Sequence, residues 1–404
     1  MKKTVVAFVG QNENDALAAG SHELLAAMRP HGLDGHIVNL HDSRWTDQLG
    51  RLANDGILFA FGFAGIGAIL DHVDPVTRAK LNLWDTLRVP FISILADQPA
   101  IQPRNHRVAA RYVVNGYLFR DYFELQRSFI RSPQISVMLP QICTVNPHRD
   151  KKPWASRTRR MVFVKSGGDP NLLREYWPNF PARFRAILEE ASAEILKRPA
   201  HNINDPVLAC FASHGIELGD RHEIFFAAVQ QIDFYVRLVR ATQTARALCR
   251  VPAEIIGSRW DHIDKSGAKA RFLPPVKADT LPELYADAQF IVNVTPNFSS
   301  GAHERVLQGM AAKACVISDD NDFARRRFGA LPSYHGFDWN DPDWPEKIVA
   351  WFDSREDYED RPQLAVDFLA AEFDIGKLIG ALLEIADLVR YGENFSQLTY
   401  VAAA

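Results

Sequence analysis

The chain has 404 residues, with 46 basic and 49 acidic side chains and a net charge of −3. That length exceeds one ordinary core and suits about two domains of ~100–200 residues, and 47% hydrophobic with 24% charged content excludes wholesale disorder. The near-neutral balance supplies no general field for a polyanion, so nucleic acid is not an expected partner.

Residues 5–9 are apolar but break at once into Gln11-Asn12-Glu13-Asn14-Asp15, which is too short for a secretory leader and reads as a first strand. Helical spacing over 16–28 and strand-like runs at 35–40, 56–62 and 89–95 follow, with further strands expected at 111–114 and 135–140. This alternation predicts a parallel sheet built from βαβ units. The longest apolar stretch, 56–70, carries four glycines and is shorter than the ~18–20 residues of a spanning helix, so no membrane span is expected. Proline and basic residues crowd 140–160 and suggest an exposed linker, with a domain cut near 150. A strand restarts at 161–164, long helical patterns occupy 181–197 and 221–249, and strands are expected at 253–257, 270–273, 290–294 and 314–318. A helix over 303–312 separates the last two, and the tail from 345 to 390 is helical. The fold class is therefore α/β, with two similar halves.

Cys143, Cys210, Cys249 and Cys315 show no CxxC spacing, so neither a zinc site nor a disulfide framework is expected and a reducing cytoplasm fits. The acidic run Asp319-Asp320-Asn321-Asp322 precedes Arg325-Arg326-Arg327 and reads as helix capping rather than a metal site. No GxSxG, HExxH or GxxxxGK[ST] motif occurs.

The densest signal runs from Phe290 to Ser318. A strand leads into Thr295-Pro296-Asn297-Phe298-Ser299-Ser300-Gly301, then a helix starting near His303-Glu304-Arg305, then a second strand. Backbone N–H groups of such a loop and helix start face an anionic or hydroxyl-rich ligand. Residues 286–318 resemble the donor-binding segment of GT-B glycosyltransferases. The pairing of His303-Glu304-Arg305-Val306-Leu307 with Met310-Ala311-Ala312 and Val316-Ile317 is most similar to the CgeB-like (spore-maturation-type) branch. The order of elements follows the family over residues 160–390, whereas motif-grade similarity is confined to 286–318.

The resemblance implies a GT-B fold of two Rossmann-like domains facing across a cleft, with C-terminal helices crossing back to the first. Residues 1–150 would form the acceptor-side domain, 151–375 the nucleotide-sugar domain, and 376–404 a C-terminal helix and tail. It implies a glycosyltransferase with a nucleotide sugar as co-substrate, no resident cofactor and no metal, and it is compatible with peripheral membrane association. Asn297, Ser299, Ser300, Gly301, Glu304 and Arg305 would line the donor site, and the position of the family's ribose-binding glutamate is Gln308. An earlier acidic position falls at Ser300, so the two-glutamate pattern is absent. Lys165 with Gly167 and Gly168 would face the diphosphate, while Arg259, Trp260 and Pro275 would line the nucleoside pocket. A core role for Trp260 stays open.

On the acceptor side the candidates follow strand ends: Gly10-Gln11-Asn12, Gly62 to Gly65, and Asp97. Asp97 is the first candidate base and His106 the second, with a turn-forming role as the alternative for Asp97. His303 either touches the donor sugar or marks the helix start. Two other readings stay open: a GT-B-shaped sugar-nucleotide 2-epimerase, and a nucleotide-sugar-binding module without catalysis. Acceptor, stereochemistry and oligomeric state are open as well.

Overall fold

The computed structural model describes residues 3–10, 15–108, 110–129, 135–143, 152–197, 202–219, 222–354, 361–392 and 400–401. Two compact units emerge: Met1–Thr144 with Phe373–Ala404, and Val145–Glu372.

The first unit is built on β1 (Thr4–Val9), β2 (Asp34–Asn39), β3 (Ile57–Phe63), a small antiparallel pair β4 (Asp71–Val73) and β5 (Lys80–Asn82), then β6 (Phe91–Leu95), β7 (Val113–Tyr117) and β8 (Ile135–Met138). β1 is TVVAFV and buried throughout, as expected for a parallel strand covered on both faces. Six of these strands and the late β15 (Tyr400–Val401) form a parallel sheet ordered β15-β8-β7-β6-β3-β1-β2. The order reverses between β1 and β3, the kind of switch point where open α/β sheets bind ligands. Just past it, Gly62 packs so tightly that an added Cβ would lie 2.0 Å from the Ile66 carbonyl oxygen. Asn105 Nδ2 donates to the Ala64 carbonyl (2.7 Å), tying the loop after β6 to the loop after β3.

Helix Ile375–Tyr391 belongs to this unit. Its Leu378, Ile379, Leu382, Ile385 and Ala386 share a core with Leu24 and Met28 of helix Ala16–Met28 and with Phe59, Phe61 and Ile92 of the sheet. Arg390, in its last turn, donates to the Ile57 carbonyl (2.8 Å). The C-terminal helix, expected to cross back to the first domain, is a core element of the first unit, because its apolar face is matched there.

The second unit holds β9 (Thr158–Val164), β10 (Ala253–Ile256), β11 (Arg271–Leu273), β12 (Ala288–Asn293), β13 (Cys315–Asp319) and β14 (Tyr334–Phe337). They form a parallel sheet ordered β11-β10-β9-β12-β13-β14, the Rossmann order 3-2-1-4-5-6, with its switch point between β9 and β12. The 27-residue helix His222–Leu248 supplies Ala241, Ala245 and Leu248 to a core shared with Phe163, Phe290 and Trp260.

The expected linker over 140–160 is corrected at its far end. Arg157 is buried, with Nη1 donating to the carbonyls of Ala312 (2.8 Å) and Lys313 (3.0 Å). β9 already begins at Thr158, and Arg160 pairs with Glu254 (3.1 Å) and Asp287 (3.1 Å). Basic residues there look like a solvated linker in one dimension, whereas in three they are met by carbonyls and carboxylates distant in the sequence. Among the described residues no helix is long and apolar enough to cross a membrane.

Candidate functional site

The chemistry-bearing residues of the second unit gather where its strand order switches. β9 ends at Val164 and hands the chain to Lys165, while β12 ends at Asn293 and leads into the 295–301 loop.

Lys165 is half-buried, and burial together with the guanidinium groups of Arg237 and Arg305 lowers its pKa to about 7, against the opposing pull of Asp233 and Asp319. Its backbone is locked: the amide donates to the Ile256 carbonyl (2.9 Å) and the carbonyl accepts from Trp260 Nε1 (3.0 Å). Arg305 lies in the first turn of helix Glu304–Ala311, and its Nη1 donates to Asn293 Oδ1 (2.8 Å). It also bonds the hydroxyl of buried Tyr285. Arg237, from helix His222–Leu248, pairs with fully buried Asp233 one turn earlier (2.8 Å). Lysine and arginines thus converge, and the two guanidinium groups make the Lys165 ammonium harder to hold.

His303 is the N-cap of the same helix. Its Nδ1 accepts from the Arg305 backbone N–H (3.3 Å), which leaves the ring proton of the neutral imidazole on Nε2. Burial and the cations Arg305, Lys165 and Arg237 hold its pKa well below the ordinary histidine value. A neutral ring with Nδ1 occupied acts as a hydrogen-bond donor through Nε2, so this geometry does not suit proton abstraction.

The 295–301 loop is pinned from three sides. Asp319 Oδ1 accepts from the Thr295 N–H (2.6 Å), and its other oxygen accepts from Trp339 Nε1 (2.9 Å). Burial raises the Asp319 pKa, and Arg240 opposes that rise. Asn321 Nδ2 donates to the Gly301 carbonyl (2.9 Å) while its Oδ1 caps helix Asp322–Phe328. Asn297 is buried, its Nδ2 donating to Asp233 Oδ1 (2.9 Å) and its Oδ1 accepting from Arg240 Nη1 (3.1 Å). The Asn297 side chain therefore anchors the loop rather than lining a ligand site. Ser299 and Ser300 are half-exposed on that loop, Gly301 is buried, Glu304 is exposed and Gln308 is half-buried on the following helix.

The nucleoside-pocket candidates separate. Trp260 is buried in the core, and an added Cβ on Gly167 would lie 2.5 Å from its indole. This corrects the stacking assignment: the indole supports the turn from beneath, and Gly167 is required by the ring's proximity. Gly168 is looser, with Leu238 at 3.1 Å from its added Cβ. Arg259 is exposed with φ 62°, a bend after Gly257, and Pro275 is exposed past β11. In the first unit Asp97 is exposed after β6. His106, in contrast, is buried with Nδ1 at 2.5 Å from the Tyr117 hydroxyl, and burial lowers its pKa to about 4. That enclosure does not suit a base serving an incoming acceptor. Gln11 and Asn12 lie outside the described residues. Among the described residues no group of three His, Cys, Asp or Glu side chains is placed to hold a metal ion.

Asn293, Arg237, Asp233, Tyr285 and Arg240 were not singled out in the sequence. Their signal was slight: polar residues within apolar strand and helix patterns, including Asp and Arg at i and i+4 in a helix that otherwise buries one face.

A family described as "Glycosyl transferase-like" matches residues 236–340, about a quarter of the chain. That span holds Arg237, Arg240, Asn293, Asn297, His303, Arg305 and Asp319. No curated protein matches in sequence. Among solved structures, AviGT4, a glycosyltransferase involved in avilamycin A biosynthesis, aligns with a TM-score of 0.51 at 11% identity, over 96% of this chain and 98% of that one. An alpha-glucosyltransferase in complex with UDP and a 13-mer DNA containing an HMU base also aligns with a TM-score of 0.51 at 11% identity, covering 95% and 99%. The fold is GT-B.

Proposed function

We infer that the chain is a glycosyltransferase that moves a sugar from a nucleotide-activated donor to an acceptor, with the donor diphosphate taken by Lys165, Arg305 and Arg237. The observation that carries this reading is the convergence of those cations at the β9/β12 switch point, two of them, Arg237 and Arg305, inside the segment that is glycosyl transferase-like. Departure of a nucleoside diphosphate concentrates negative charge on its phosphates, and fixed cations stabilise that charge as it develops. His303 Nε2–H serves as a donor to a sugar hydroxyl or phosphate oxygen. On the acceptor side, exposed Asp97 is the proposed proton acceptor if transfer inverts the anomeric centre. The run from His303 to Ile317 supports the CgeB-like branch, and scattered cysteines support a cytoplasmic setting.

A thermal-shift panel of UDP-, GDP-, dTDP- and CMP-sugars tests the donor assignment, since a ligand that binds only the native state raises the melting temperature. At least one nucleotide sugar should raise it, and the Lys165→Ala variant should lose that rise. A flat panel overturns the reading. The best donor then goes into transfer assays against glycan, lipid, protein and DNA acceptors, the last because the structurally similar alpha-glucosyltransferase was captured with DNA.

A further inference from the structure

The two arginines that face Lys165 are held by different chemistry. Arg237 is matched by a carboxylate, Asp233, so much of its charge is offset locally. Arg305 has no ion pair among the described residues: its side-chain partners are the neutral amide of Asn293 and the phenol of Tyr285. Asn293 is fully buried at the last position of β12. Its orientation is determined by its neighbours. A guanidinium only donates, so the atom facing Arg305 is Oδ1, and the NH2 group turns to Ser318 Oγ (2.9 Å). The Ser318 hydroxyl in turn donates a hydrogen bond to the Asp319 carbonyl (3.2 Å). Both ends of the amide are used.

We propose that Asn293 is a positioning residue that holds the Arg305 guanidinium through a neutral acceptor, so that its charge stays directed at an anionic ligand of the nucleoside-diphosphate class. The proposal rests on the donor-site reading above. A carboxylate at this position would fit the same space and accept the same hydrogen bond, but it would cancel the charge that an incoming phosphate needs. Orientation and charge are thereby separated: the side chain at 293 supplies the first without reducing the second.

The charged groups around Lys165 are Arg237, Arg305, Asp233 and Asp319, with His303 neutral beside them, and this gives a test that needs no ligand. Acylation of Lys165 by acetic anhydride, followed by mass spectrometry across pH, reads how strongly Arg305 bears on its ammonium. In Asn293→Asp the midpoint should rise by about one unit, because a carboxylate now offsets Arg305, whereas in Asn293→Ser it should not rise. Calorimetry with inorganic pyrophosphate at one pH should show affinity falling about tenfold or more in Asn293→Asp and also falling in Asn293→Ser, which frees the guanidinium without adding charge. An unmoved midpoint in folded Asn293→Asp overturns the proposal, and so does full pyrophosphate affinity in Asn293→Ser, the smaller variant that tests it even if the aspartate form does not fold. If the wild-type protein binds no pyrophosphate while the Lys165 midpoint shifts as described, it is the donor-site reading that fails.

Discussion

Lys165 changes charge near the middle of the physiological range because burial, and after it two guanidinium groups, oppose its ammonium. The sign of the consequence is fixed. Below about 7 the side chain is protonated and attracts a diphosphate; as pH rises through that value the charge is lost and affinity falls. A nucleotide sugar is the appropriate probe, because its diphosphate diester does not itself titrate there. Calorimetry should show binding weakening from pH of about 6 to about 8, and Lys165→Met should bind more weakly at the lower pH and lose most of the dependence. An unchanged slope in the variant assigns the titration to another group. Lys165 and Arg305 were legible in the sequence because position alone marks them, one just past a strand and one in the first turn of a helix. Arg237 and Asp233 were not, since an Asp–Arg pair at i and i+4 ordinarily reads as a solvated helix face. Trp260 was left between two readings for a different reason. The residue type suits both a stacking platform and a core, and only the 2.5 Å approach of a Gly167 Cβ decides between them.

At the scale of elements, the 295–301 loop behaves as part of the framework. Asn297 lies between two buried opposite charges, Asp233 and Arg240, and removing its amide leaves each with one partner fewer. Asn297→Ala should therefore lower unfolding free energy in urea by about 2–4 kcal/mol, with donor affinity falling in parallel; a loss under about 0.5 kcal/mol would show that water replaces the amide. Strands buried on both faces, such as β1 and β12, announced themselves by continuous apolar runs. The β4–β5 pair did not, being three residues each and mostly polar. The start of β9 was hidden by Arg159 and Arg160, whose partners are Phe352 and Ser354 carbonyls and the carboxylates of Glu254 and Asp287. Composition reports the charges but not what answers them.

For the whole molecule, the two units differ in continuity. Residues 145–372 form one unbroken stretch, whereas the other unit needs 1–144 and 373–404 together. Expressed alone, 145–372 should unfold in a single cooperative urea transition. Residues 1–144 alone should lack one, because Leu24, Met28, Phe59 and Phe61 would lose the cover given by Leu378, Leu382 and Ile385. Co-expression with 373–404 should restore it, and cooperative unfolding of 1–144 by itself would contradict this account.

The same helix, Ile375–Tyr391, fixes the timetable of synthesis. A ribosome adds roughly 5–20 residues per second, so the unit translated first waits roughly 10–50 s for its last core layer while the unit translated second is completed in the interval. The chain is read from one end, yet its folding closes in the opposite order. The apolar surface left open on the early strands during that wait is where a chaperone would find this protein in the cell.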